Sequence, residues 1–302
     1  MERLLITGAS GFVGTHLARH FLQKNVHVTG LGMSSSHPFS QEFDNFEWVQ
    51  ADLTQQGVWQ DHAARADTII NLAGRNIFKP WNKAYKKAIY DSRILTTRNL
   101  VAAMAEDKPV KLLSTSAVGI YGDGKEQLLT EDAQKGSDFL ARVCLDWEAE
   151  ARKAQQTGAS VNIMRFGVVL GHGGALSIMS PLYKWFAGGR LGSGRQWFSW
   201  IHMQDLVRAV DFLAQKPDFS GTCNLVGPEP VRQRDFAKAL GKALHRPALL
   251  PAPAFMVKLV LGELGAALLQ SQKATPKALL DLGFTFEYEN VEAALAAIFN
   301  HA

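Results

Sequence analysis

Met1-Glu-Arg-Leu-Leu-Ile-Thr-Gly-Ala-Ser-Gly-Phe-Val-Gly14 sets an aliphatic, β-branched run directly against three glycines spaced three apart, and an amphipathic stretch follows. The pattern predicts a strand over Arg3–Ile6, a turn over Thr7–Gly11 and a helix beginning near Phe12. That arrangement aims backbone N–H groups and the positive end of a helix at a pyrophosphate. Gly8 permits the tight turn, Gly11 the close approach of phosphates, and Gly14 the close packing of helix on strand. A dinucleotide site is therefore expected to draw on Thr7, Gly8, Ser10, Gly11, Phe12, Val13 and Gly14.

The rest of the chain repeats the same grammar. Apolar runs at Val26–Leu31, Phe46–Val49, Thr68–Leu72, Lys111–Ser114 and Val161–Phe166 read as strands, with helices beginning near Gly14, Val58, Ile94 and Phe139. Alternation of this kind predicts an α/β fold, a Rossmann-type doubly wound parallel sheet covered by helices on both sides. In the first helix, Thr15–Lys24, the apolar positions Leu17, Phe21 and Leu22 suit a face packed on the sheet. After Phe166 the text becomes Gly-rich, over Gly167–Gly174 and Gly188–Gly194, before a compact stretch Trp197–Asp205. A helix over Asp235–Leu244, prolines at 247, 251 and 253, and helical text over Phe255–Leu269 follow. Pro276 marks a helix start, Gly283–Phe286 reads as a turn and strand, and an Ala-rich helix from Val291 closes the chain. The expected division is a nucleotide-binding domain over 1–230, with substrate-pocket segments from about 167 onward, and a small, mainly helical C-terminal domain over 231–302.

Composition narrows the function classes. With 302 residues and 47% hydrophobic content the chain can bury a full core. No run approaches ~18 apolar residues, and the first residues already read as a core strand rather than a leader, so the expectation is a cytoplasmic protein without a membrane partner. Cys144 and Cys223 lie far apart without metal-ligand spacing and read as packing residues, with no metal site. A net charge of +4 attracts anions in general, but Lys and Arg are scattered, and no basic tract of the kind that reads nucleic acid is present.

The flavour of the dinucleotide follows from an absence. In this fold an acid at the end of the second strand holds the ribose 2′-hydroxyl of NAD. Here Val26–Leu31 runs into Gly32-Met-Ser34-Ser35-Ser36, and the first carboxylate afterwards is Glu42. A 2′-phosphate would meet the hydroxyls of Ser34 and Ser35, so NADP is expected over NAD. Asp52, followed by Leu53 after the third strand, reads either as a contact to the adenine amino group or as a cap for the turn at Thr54. Leu72, Ala73 and Gly74 end a strand in small residues against which a cofactor can lie.

Taken in order, Thr7–Gly14, Asn71-Leu-Ala-Gly74, Ser114-Thr-Ser116 with Tyr121-Gly122, and Trp200-Ile-His-Met-Gln-Asp205 resemble the extended short-chain dehydrogenase/reductases, the sugar-nucleotide epimerase relatives. Trp81, Ser92-Arg93, Asp146-Trp-Glu148, Arg165–Gly171 and the Pro-rich C-terminal segment look like the epimerase family protein branch, which carries an extra C-terminal domain. The resemblance implies NADP binding, a hydroxyl role for Ser116, and a substrate pocket closed by the segment around Trp200 and His202, with Arg165 also on the substrate side. Arg93 is expected at the cofactor, where its guanidinium would meet an anion; pairing with a nearby carboxylate is the plainer alternative. His202 reads as a group titrating near neutrality or as a satisfied structural histidine.

The family's chemistry uses a Tyr four residues before a Lys. Counting from Ser116, that segment here is Phe139-Leu-Ala-Arg-Val143. Neither a phenyl ring nor an isopropyl group exchanges protons. A substitute donor would come from Tyr121, Lys87 or the Ser114–Ser116 hydroxyls. Two functions stay open: an NADP-dependent oxidoreductase or epimerase-like enzyme acting on a small molecule, and an NADP(H)-binding sensor or assembly protein without turnover. A homodimer is the assembly compatible with either.

Overall fold

A computed structural model describes residues 2–106 and 109–299; Met1 of the opening stretch and residues 300–302 of the closing helix lie outside them. Seven strands form the central sheet: β1 (Arg3–Thr7), β2 (His27–Gly32), β3 (Phe46–Gln50), β4 (Thr68–Asn71), β5 (Lys111–Ala117), β6 (Ser160–Phe166) and β7 (Gly221–Leu225). Their order is β3-β2-β1-β4-β5-β6-β7 and every pairing is parallel. The strand order reverses between β1 and β4, and the crevice at that switch point is where ligands settle in doubly wound sheets.

The strands read as unbroken apolar runs because both faces are covered. On one face the Phe12–Gln23 helix buries Leu17, Ala18, Phe21 and Leu22, beside the Met203–Ala214 helix. On the other, Trp59, Ala63, Leu100 and Ala151 pack over Leu5, Ile69 and Leu112. The C-terminal part does not stand apart: Phe236, Leu240, Leu295 and Ile298 share one core with Leu176, Tyr183 and Trp200.

Three elements differ from expectation. The helix anticipated near Ile94 begins at Lys83, because the Asn82 side chain accepts the Tyr85 N–H at 2.8 Å and caps it a full three turns earlier. β7 was unforeseen, since Gly221 and Thr222 open it and its five residues gain their order only by lying along β6. Gly283–Phe286 is not a strand: Phe284 packs edge-on against Phe212 and Phe286 and is buried, with the other two rings half-buried, without a ladder partner. Among the described residues no helix is long and apolar enough to cross a membrane.

Candidate functional site at the nucleotide crevice

The glycine turn is built as its spacing demands. Gly8 has φ +67° and donates its N–H to the Leu31 carbonyl at 2.8 Å, locking the loop to the end of β2. A Cβ on Gly14 would fall 2.3 Å from the Gly8 carbonyl oxygen, so only glycine lets the helix back onto the loop. The first intrahelical bond runs from Thr15 N–H to Gly11 C=O at 2.9 Å. The N–H groups of Phe12, Val13 and Gly14 precede it, with no side-chain cap and no carboxylate in the first turn. The exposed Ser10 and Gly11 flank this donor cluster. Such a cradle fits the pyrophosphate of a dinucleotide.

Behind the loop runs a saturated polar chain. Thr7 Oγ1 donates to Asn71 Oδ1 at 2.8 Å and accepts the N–H groups of Leu72 and Ala73 at 3.1 Å. Asn71 Nδ2 then donates to Thr97 Oγ1 at 2.8 Å and to Ser114 Oγ at 3.3 Å, and Trp147 Nε1 donates to the same Thr97 oxygen. Thr7, Asn71 and Thr97 are fully buried. The chain fixes β1, β4 and β5 in one register, and with it the Leu72-Ala73-Gly74 backbone that borders the crevice. Nothing in local sequence marks Asn71 or Thr97 for this role.

At the cofactor's expected ends the picture is mixed. Ser34 and Ser35 stand exposed after β2, and the Ser34 carbonyl accepts Trp48 Nε1 at 3.0 Å. Glu42, the first acid beyond them, is tied to Arg19. Asp52 is exposed and accepts both the N–H and the hydroxyl of Thr54, at 3.0 and 2.7 Å, which is the capping alternative. Leu53 turns inward to the core. Arg93 lies under Gly74, where a Cβ would come within 3.0 Å of its Cζ. Its partners are the carbonyls of Arg75 and Ile89 and the face of Trp147, none of them a carboxylate. Burial holds the Arg93 guanidinium below its usual range.

Ser116 and Tyr121 sit deeper than the crevice. Ser116 is 1% exposed and donates to Glu148 Oε1 at 2.8 Å; Tyr121 is 4% exposed and donates to Asn224 Oδ1 at 2.7 Å. Arg165, expected on the substrate side, instead grips Glu148 with two bonds and gives its remaining donor to Tyr121 Oη at 2.9 Å and the Glu131 carbonyl at 2.8 Å. Burial pushes the Glu148 carboxyl up, but Arg165, Ser116 and Arg152 outweigh it and hold it below the usual range. Burial pushes the Tyr121 phenol up. The four side chains Ser116, Tyr121, Glu148 and Arg165 thus form a framework joining β5, β6 and the Phe139–Arg152 helix. Glu148 was missed as a functional position, although an acid four residues after Cys144, within the stripe that buries Ala141, Cys144 and Ala151, signals a buried partner.

Phe139 opens that helix, which the Asp138 side chain caps through Ala141 N–H at 3.0 Å. Its ring meets Trp81 edge-on and lies under the Lys86 ammonium, 4.6 Å from the ring centre. Val143 is buried. Lys87 pairs with Asp91 on the surface. Trp200 is 1% exposed and donates Nε1 to the Glu229 carbonyl at 3.0 Å. His202 caps the Met203–Ala214 helix, Nδ1 accepting Gln204 N–H at 3.2 Å, and burial lowers its pKa to about 4. His202 thus serves as a helix cap, and the lowered pKa favours the neutral ring at pH 7. Both cysteines are free and buried, and burial pushes Cys144 up to about 11 and Cys223 up to about 12.

Comparison with known proteins extends this geometry to a family. Residues 4–227 match the NAD dependent epimerase/dehydratase family, and residues 252–298 match a domain of unknown function, DUF1731. The chain is 39% identical to the chloroplastic epimerase family protein SDR39U1 homolog of Arabidopsis thaliana, over 97% of this chain and 85% of that one. It is 35% identical to the epimerase family protein YfhF of Bacillus subtilis, over 98% and 97%. The crystal structure of human epimerase family protein SDR39U1 with NADPH superposes with a TM-score of 0.86 at 29% identity, covering 99% of this chain and 100% of that one. The crevice, the glycine turn and the sequence likeness lead to one conclusion: this chain is an epimerase family protein and belongs to the NAD dependent epimerase/dehydratase family.

Proposed function

We propose that the chain binds NADP(H) at the glycine turn and acts as an oxidoreductase or epimerase-like enzyme on a small molecule. The observation that carries the cofactor is the acid-free end of β2: Ser34 and Ser35 stand exposed where an NAD-selective site would place a carboxylate. The NADPH in the human relative supports the same reading. A bound nicotinamide supplies hydride transfer. This chain's residues do the rest: the N–H groups of Phe12 and Val13 hold phosphate, the Thr7–Asn71 bond holds the Leu72–Gly74 backbone against the cofactor, and Arg93 offers a guanidinium that no carboxylate has claimed. A half-buried cation of that kind suits an anionic group on the cofactor or substrate.

A second reading, a nucleotide-binding sensor or assembly protein without turnover, is favoured by the locked state of Ser116 and Tyr121 together with Phe139 and Val143. Titration with NADPH and NADH, read by nicotinamide fluorescence, tests the cofactor: tighter binding of NADPH is expected, and equal or weaker binding refutes it. Turnover against carbonyl and sugar-nucleotide panels then separates enzyme from sensor. Oxidation of NADPH with any panel member supports the enzyme; saturable binding with no turnover on any panel member supports the sensor.

A further inference from the structure

Exposed apolar surface on this molecule is concentrated in one place. Eleven of the seventeen large hydrophobic side chains exposed among the described residues fall in two stretches, 178–186 and 249–261. The first supplies Ile178, Leu182, Trp185 and Phe186 at the end of the Gly174–Lys184 helix. Leu249 and Leu250 begin the second, and the helical span Ala254–Leu268, kinked at Gly262 where φ is +58°, continues it. That helix is apolar on all sides up to Glu263 apart from Lys258, yet buries only Val257, Leu264 and Gly265; Leu259 is 81% exposed and Val260 74%. An apolar helix of this kind belongs against a low-dielectric partner.

The two stretches form a single face. The Gly188 carbonyl accepts Leu250 N–H at 3.2 Å, the Arg190 carbonyl accepts Ala252 N–H at 2.9 Å, and Gly192 N–H donates to the Ala252 carbonyl at 2.8 Å. The Arg246 guanidinium lies 5.3 Å from the centre of the Phe186 ring, bringing the aromatic pair beside the second stretch.

Charge identifies the occupant. Residues 171–204 and 236–262 contain no Asp or Glu, although the whole chain has 28. They carry exposed Lys184, Arg190 and Arg195 in one stretch and Lys238, Lys242, Arg246 and Lys258 in the other. A second copy docked about a two-fold axis would set this cationic face against itself. An anionic bilayer offers an apolar interior for the hydrophobic side chains and fixed negative headgroups for the cations. We propose that this face docks the protein onto anionic lipid from one side, with Trp185 and Phe186 at the headgroup boundary. The lack of a spanning segment, which argued against a membrane at the level of sequence, does not bear on one-sided docking.

The test is cosedimentation of the full chain with large unilamellar vesicles of phosphatidylcholine alone or mixed with phosphatidylglycerol. Retention on the mixed vesicles, little on the neutral ones, and release by high salt are expected. Lys242→Glu/Arg246→Glu/Lys258→Glu should weaken partitioning about a hundredfold or more, taking roughly fivefold for each cation near the surface. Leu259→Asp/Val260→Asp should abolish it. Both variants change exposed side chains, and unaltered thermal unfolding verifies their fold. No retention on anionic vesicles overturns the proposal, as does retention that neither variant alters. Overturning it too would be a concentration-dependent dimer, seen by sedimentation velocity without vesicle retention, that Leu259→Asp/Val260→Asp dissolves.

Discussion

Arg165 on β6 and Glu148 on the Phe139–Arg152 helix form a two-pronged ion pair inside the protein, Nε to Oε1 at 2.8 Å and Nη2 to Oε2 at 2.9 Å, with both side chains at most 3% exposed. Removing one charge strands the other in the interior. Glu148→Gln should therefore cost about 3–5 kcal/mol of unfolding free energy. Glu148→Leu with Arg165→Met, which removes both charges, should cost far less than the two single changes added together. Urea denaturation of the four proteins provides the cycle, and additivity would show that the pair does not act as a unit.

Tyr121 is bound into that same framework, and its variant separates structure from chemistry. The hydroxyl donates to Asn224 and accepts from Arg165, so Tyr121→Phe leaves a buried amide oxygen and a guanidinium donor short of a partner. A loss of about 1–3 kcal/mol is expected. NADPH affinity should not change, because the phenol lies behind the crevice. Loss of turnover at unchanged stability would instead give Tyr121 the proton-transfer role.

Much of this was legible along the chain. Arg3–Gly14 and the strands up to Phe166 carry their own periodicity and turn residues, and their parallel, doubly wound arrangement follows. The nucleotide cradle was legible for the same reason, since Gly8, Gly11 and Gly14 act within seven residues. Tyr121 was not. Its environment depends on Asn224, 103 residues away and on a strand that forms only beside β6. Glu148 likewise becomes meaningful once β6 brings Arg165 to it. Local chemistry identifies a residue's abilities, and long-range pairing decides whether they face a ligand or the core.

The cofactor preference should be reversible at one position. A carboxylate at the end of β2 repels a 2′-phosphate and accepts hydrogen bonds from a free 2′-hydroxyl. Ser34→Asp should weaken NADPH binding by about tenfold, the effect of roughly 1.4 kcal/mol, while leaving NADH binding unchanged or tighter. Isothermal titration of both nucleotides checks it; a parallel loss of both would show that the exposed serine loop does not discriminate.

Gly14 should be essential for a reason distinct from charge. An added Cβ would lie 2.3 Å from the Gly8 carbonyl oxygen and 2.8 Å from Ala9 Cα, both backbone atoms that move only with the whole turn. Gly14→Ala is expected to destabilise by about 1–3 kcal/mol and to eliminate measurable NADPH binding. Gly158→Ala is the control: its φ of +82° strains any side chain, but nothing lies within 4 Å of the new Cβ and it is far from the turn. It should lower stability by about 1 kcal/mol and leave nucleotide affinity intact.

His202 should impose an acid limit on stability. Burial lowers its pKa from 6.5 to about 4, against an opposing pull from Asp205 and with a smaller push from His172. Between those values the unfolded chain binds the proton that the folded one refuses, so unfolding free energy falls as pH drops through that window and the effect is complete below about 4. The full loss is about 3 kcal/mol, at 1.36 kcal/mol per pKa unit. His202→Asn keeps an oxygen to accept Gln204 N–H at the helix N-terminus and removes the titration. Urea unfolding at intervals from neutral pH down to that limit should show the parent losing more stability than the variant, since every other titrating group is common to both. Parallel curves would mean that the folded ring takes up the proton as readily as the unfolded one, giving up its bond from the Gln204 N–H as it does so.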